Sequence, residues 1–190
     1  MFFGGAGMDG PYIKDMVRAF DNMGIALTPA NRDTWSSGIA EVDAAIGVQA
    51  YRFGQHPFPT LLDKFDQSGN QFNLIGYSYG SEVAAQVAVN YARGGTKIDN
   101  LVLIGSPISE DYLKTVQNTK NIGNVIVMNL TAHGDPIYAG MSDTTLIKSA
   151  LTLKDQQSSG TGHFYYASET PVGQANRDSL AAYLYKKGLR

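Results

Sequence analysis

The chain has 190 residues, 43% of them apolar, a formal net charge of −2 and no cysteine. That suffices for one packed core and a single domain over residues 1–190, and it excludes a disulfide scaffold, a thiolate metal site and a cysteine nucleophile. No long run of one charge sign appears, so no nucleic-acid partner held by a basic face is expected.

Met1-Phe2-Phe3 reads as a very short first strand, and Gly4 to Gly10 as a glycine-rich loop after it. The start lacks the charged and long apolar regions of a signal peptide, and no apolar run approaches transmembrane length. The expectation is a chain that is cytoplasmic, leaves by a signal-independent route, or belongs to a larger precursor. Asp9-Gly10-Pro11 opens a helix to about Met23, with Asp9 as its cap and Gly24 as its stop. Ile25 to Thr28 is a short second strand ended by Pro29. Residues 36–50 carry a helical period in Ile39, Val42, Ala45 and Ile46. Pro57 and Pro59 break the chain, and Thr60 to Phe65 predicts a short helix.

Phe72 to Ile75 is an apolar strand; Ser81 to Ala92 is plainly helical and stops at Gly94-Gly95. Ile98 to Gly105 and Asn124 to Leu130 are near-continuous apolar strands, predicted to be buried on both faces of a parallel sheet. A short helix over Thr145 to Leu153 is followed by the polar Asp155 to Gly162, read as a mobile loop, so that 140–162 is a candidate lid. The last helix spans about Gln174 to Lys187. Strands alternating with helices predict an α/β fold, a doubly wound and mostly parallel sheet flanked by helices.

Between the strand at Phe72 and the helix at Ser81 lies Gly76-Tyr77-Ser78-Tyr79-Gly80. This is a G-x-S-x-G turn with serine at its apex. Side chains at the two glycine positions would collide with the strand or the helix, and the serine must take a strained backbone conformation. Its hydroxyl then stands at a helix N-terminus, where backbone N–H groups favour negative charge. In this context the chain resembles the α/β-hydrolase superfamily, in its lipase, esterase and thioesterase part. The resemblance runs from Phe2 to the last helix. It includes Leu103-Ile104-Gly105-Ser106-Pro107 and Gly134-Asp135-Pro136-Ile137. More faintly, it extends to lipase-like effector domains that bacteria deliver into competitors.

The resemblance implies a serine nucleophile, then an acid, then a histidine, in that chain order. Ser78 is the nucleophile. Of the three histidines, His56 precedes the turn, His133 follows a strand, and His163 lies on a glycine-flanked loop before the last helix. His163 is the expected base, while His133 lines the site at most. Asp135 is the expected acid, since its loop follows a parallel strand at the sheet's active edge; Glu110 and Asp111 are the alternatives. One oxyanion donor is the N–H of Tyr79. Gly4-Gly5-Ala6-Gly7 looks like the His-Gly-x-x segment of bacterial lipases, with glycine in place of histidine. That likeness makes Ala6 the second donor, with Gly5 and Gly7 also open. The same loop lacks the Gly-Lys-Ser/Thr ending of a P-loop and the spacing of a dinucleotide fingerprint.

The set implies acyl transfer with no cofactor and no metal. Tyr77, Tyr138 and Phe164 are expected to bind substrate, with Tyr79, Met141, Tyr165 and Tyr166 nearby. No arginine cluster marks a coenzyme A site, so a small-molecule or lipid ester is the expected partner, with room for transient contact at a membrane surface. A thioesterase, an acyltransferase using an alcohol in place of water, and a non-catalytic binding module on the same fold stay open.

Overall fold

The apolar run Leu101-Val102-Leu103-Ile104 has no polar face to offer water, so it must lie inside a sheet covered on both sides. A computed structural model of the chain describes residues 1–7, 10–57, 62, 69 and 71–190. In it β1 (Phe2–Phe3), β2 (Asn73–Tyr77), β3 (Ile98–Ile104) and β4 (Ile122–Met128) form a parallel sheet in the order β1-β2-β3-β4. The expected cap Asp9 and, apart from Leu62, the helix expected over Thr60–Phe65 fall outside the described residues.

Side chains alternate across a strand, and two apolar layers follow from that. Phe2, Ile75, Tyr77, Val102 and Ile104 point to one face, where α1 (Tyr12–Asp21) and α6 (Pro171–Lys186) pack. Phe3, Leu74, Leu101 and Leu103 point to the other, against α3 (Tyr79–Arg93). That second face also takes α2 (Ala40–Gln49) and α4 (Glu110–Gln117). Helices thus flank both faces, and the strand order of the described sheet has no reversal. Ser109 caps α4 by accepting from the Tyr112 N–H. Thr170 caps α6 the same way at Gly173, and Pro171 sits where its missing N–H costs nothing.

Three expectations are corrected. Ile25 to Thr28 is not a strand: beyond one bridge, Phe2 to Pro29, the segment leaves the ladder. Proline has no N–H to continue it. β4 is half-buried to exposed along its length rather than buried on both faces, because it is the edge of the described sheet. Finally, 155–162 is not a long loop. The helix α5 spans Asp143–Ser159 and ends at Gly160, φ 63°, so the candidate lid at 140–162 is largely helical. Its polar last turns face solvent, and a solvated helical turn has the composition of a loop. Among the described residues no helix is long and apolar enough to cross a membrane.

Candidate active site

β2 delivers the chain to Ser78 and α3 takes it away at once, so the turn between them has no slack. The Ser78 N–H donates to the Ile104 carbonyl at 2.8 Å, a last tie to β3. Ser78 itself has φ 55° and ψ −128°, a conformation that L-residues rarely hold unless their surroundings impose it. The imposing contacts are visible at the two glycines. A Cβ on Gly76 would lie 2.4 Å from the Gly80 carbonyl oxygen and from the Ser81 Cα. A Cβ on Gly80 would lie 2.1 Å from the Gly4 carbonyl oxygen. The loop after β1 is therefore pressed onto the turn, beside the serine.

Ser78 Oγ lies 2.7 Å from His163 Nε2, and His163 Nδ1 lies 2.8 Å from Asp135 Oδ2. Three residues 85 positions apart at the extremes meet in one line. A carboxylate accepts only, so the Nδ1 proton points to Asp135 and the Nε2 lone pair to the serine hydroxyl. Asp135 and His163 are buried, whereas Ser78 is half-buried and reachable from solvent. The second oxygen of Asp135, Oδ1, accepts from the Ile137 N–H at 2.8 Å. That bond fixes the carboxylate from behind. Gly105, at φ 53°, floors the pair: a Cβ there would come within 3.3 Å of Asp135 Oδ2 and 3.4 Å of the imidazole.

His163 sits on a 3-10 turn, Gly162–Phe164. Tyr77 lies beneath its ring, centroids 5.9 Å apart and nearly parallel, and the Tyr77 hydroxyl donates to the His163 carbonyl. Burial pushes that phenol's pKa well above its usual value, so it stays a donor. Behind the turn, Arg177 of α6 donates to the carbonyls of Tyr166 and Ser168 at 2.7 and 2.8 Å. On the other side, Gln156 of α5 accepts from the His163 N–H at 2.8 Å and donates to the Gly134 carbonyl at 2.7 Å.

The glycine-rich loop is equally held. The Gly5 N–H donates to the Tyr12 hydroxyl, and the Gly7 N–H to Asp43 Oδ2, both at 2.8 Å. Asp43 is buried on α2. Burial raises its pKa, but hydrogen bonds from Ser36, Ser37 and Gly7 outweigh that and hold it below the usual carboxylate value. Of the three donors left open by the sequence, two N–H groups are therefore occupied. Ala6 alone has no partner among the described residues. This corrects Gly5 as an oxyanion donor. Tyr79 begins α3, and a first-turn N–H has no carbonyl of its own helix to bond.

The aromatic residues divide. Tyr77 is buried and its hydroxyl engaged, so it supports the histidine instead of lining a pocket, a correction to its expected role. The Tyr79 ring is also buried, its hydroxyl on the Trp35 carbonyl at 3.0 Å. Met141 and Tyr166 are core. Phe164 stands edge-on to His163 with centroids 5.5 Å apart, and Tyr138 is exposed on the acid loop. His133 stacks on Tyr165 at 3.8 Å and His56 on Tyr51 at 4.2 Å, neither of them at the serine. Glu110 and Asp111 lie on the exposed first turn of α4, Glu110 paired with Lys114. Among the described residues no three acidic or histidine side chains gather as metal ligands.

Sequence reasoning missed Gln156, Asp43, Tyr12 and Arg177. Each acts on a backbone group outside its own helix, and no local motif marks that.

No protein-family model matches the chain, and no solved structure matches it. Among curated proteins it is similar to indigoidine synthase from Streptomyces lavendulae, at 32% identity over 97 residues. The match covers 44% of this chain and 8% of the synthase, so the chain accounts for a small part of that protein's length. Such a partial likeness places the chain in no family.

Proposed function

We propose that this protein is a serine hydrolase that cleaves carboxylic esters through an acyl-enzyme, built on a small α/β-hydrolase fold. One observation carries the reading: the hydrogen-bonded line from Ser78 Oγ through His163 to Asp135, with the serine at positive φ on a helix N-terminus. A serine hydroxyl is a weak nucleophile until a base can take its proton, and that base needs an acid to orient it. Here Ser78 attacks the ester carbonyl as His163 Nε2 takes its proton. Asp135 stabilises the imidazolium through Nδ1–H. The oxyanion is held by the N–H groups of Tyr79, at the start of α3, and of Ala6, between the tethered Gly5 and Gly7. His163 returns the proton to the leaving alcohol. Water then attacks the acyl-enzyme by the same route and releases the acid.

Phe164, edge-on to His163, offers apolar surface beside this line and favours an apolar acyl group, with Tyr138 exposed three residues beyond Asp135. The buried guanidiniums of Arg52 and Arg177 are engaged with backbone carbonyls and do not serve a phosphate-bearing acyl carrier. The test is labelling with a fluorophosphonate, together with hydrolysis of p-nitrophenyl esters of rising chain length and of phospholipids. Label on Ser78, and Ser78→Ala with less than about a hundredth of wild-type activity, is the expected result. Label on the fully buried Ser81 or Ser106, or no label at all, would overturn the reading.

A further inference from the structure

We propose that Gln156 is a positioning residue that sets His163 against Asp135, a role that rests on the hydrolase reading above. Gln156 lies on the last turn of α5, and its backbone carbonyl accepts the capping N–H of Gly160. Its side-chain amide spans two loops. Nε2 donates to the carbonyl of Gly134, the residue before Asp135. Oε1 accepts from the N–H of His163 itself. Gly134 offers only an acceptor and the His163 main chain only a donor at these contacts, so the amide has one orientation. A single planar group therefore ties the backbone of the acid to the backbone of the base.

Room for the amide is made by Gly162. This residue has φ 54°, and a Cβ on it would lie 2.2 Å from the Gln156 amide carbon. No described α-helix or strand runs through Gly134 or His163. The acid follows the 3-10 turn Thr131–His133, and the base lies on another. Two short turns have little stiffness of their own, and the 2.8 Å Asp135–His163 bond needs their separation fixed. Small misplacement of a general base carries a large kinetic cost, up to about a hundredfold for 1 Å.

Two variants separate positioning from folding. Gln156→Met keeps the size and removes both hydrogen bonds. Gln156→Glu keeps the acceptor for His163 but, while ionised, turns a donor into a charge facing the Gly134 carbonyl. Protonation restores the donor. Each variant is checked by circular dichroism, labelled with a fluorophosphonate, and assayed on a p-nitrophenyl ester from about pH 5 to about pH 9. Gln156→Met is expected to lose about tenfold in kcat and in labelling rate, with KM nearly unchanged. Gln156→Glu is expected to be equally slow at high pH, its rate relative to wild type rising as pH falls toward the carboxyl range.

Should Gln156→Met be unfolded, the pH dependence of Gln156→Glu decides alone. A Gln156→Met enzyme that keeps pace with wild type overturns the role, as does a Gln156→Glu to wild-type ratio that is flat with pH. Wild type that leaves Ser78 unlabelled removes the hydrolase reading and this role together. Wild type that labels beside a Gln156→Met that labels as fast removes the role only.

Discussion

The helices α3 and α5 meet the same site and are held there by different forces. α3, which begins directly after Ser78, is buried along most of its length, with Val83, Ala84, Val87 and Ala88 fully enclosed against β1, β2 and β3. α5, which leads to His163, buries only Leu146 and Ser149, and leaves Ile147 70% and Leu151 80% exposed. Close packing places the serine. Hydrogen bonds with Gln156, Tyr77 and Asp135 place the histidine, and Arg177 ties down the chain that follows it. Packed cores resist displacement because every atom is already in contact, while a hydrogen bond contributes only about 1 kcal/mol net and several must act together to hold a short turn. The nucleophile end should therefore fail through folding, and the base end through kinetics.

The largest expected effect tests the base end. His163→Ala should lower kcat for ester hydrolysis by at least about a thousandfold, since such residues act as a unit. Circular dichroism should show it folded. His133→Ala, which loses a stacking contact on Tyr165 and no tie to Ser78, should stay within about threefold of wild type. The reverse order of the two histidines would break the comparison at its root.

Next comes the nucleophile end. Gly80→Ala forces a methyl onto the Gly4 carbonyl, 2.1 Å away, and onto that of Phe3. Neither backbone group has an exit. A loss of about 3 kcal/mol or more in chemical denaturation is expected. A Gly80→Ala protein as stable as wild type would show that the loop after β1 yields, and that packing does not set the turn.

A third measurement sharpens the account of α3. Glu82 is buried on its first turn, and among the described residues Oε1 has no hydrogen-bond partner. Burial pushes its pKa up to about 8, outweighing the opposite pull of Arg52. The folded chain thus holds a proton that the unfolded chain releases from about its ordinary value of 4.5. Where the native state binds more protons, stability falls as pH rises. Stability present below 4.5 should be lost progressively up to about 8 and change little beyond. Glu82→Gln should remove that slope and be more stable than wild type at pH 8 by at least about 1 kcal/mol. Parallel stability curves for the two proteins would refute the buried-acid account. The smallest effect is expected at the exposed face of α5, where Leu151→Ser should shift stability by no more than about 0.5 kcal/mol. A large loss would mean that α5 is packed after all.

Several of these features were legible before any coordinates. The glycines at 76 and 80 report a steric fact, two backbones in contact, and that fact is local enough to be read from five residues. Asp135 was legible because a loop after a parallel strand faces one edge of the sheet. Other features were not. The edge position of β4 escaped because the run Val125 to Met128 records apolarity and not the number of neighbouring strands. The last turns of α5 escaped because Asp155 to Ser159 is polar, as any solvated turn is. Gly5 was a poor donor for a reason that lies on Tyr12, and the tether of Gly7 lies 36 residues away on Asp43. Partners of that kind are chosen by the fold and leave no signature in the spacing.

The carboxylate of Asp43 has one more consequence, for the timing of order. It grips Gly7 and two serines at once, while the Tyr12 hydroxyl grips Gly5, so Ala6 is tethered on both sides. In the proposed reaction its N–H would meet the oxyanion without first giving up conformational freedom. The entropy of arranging that donor is lost once, when the chain folds, and not again at each turnover. Because Asp43 binds its proton more weakly when folded, its contribution depends on pH with the opposite sign to that of Glu82. The grip is complete above the ordinary carboxylate value and is released as pH falls through the lowered one.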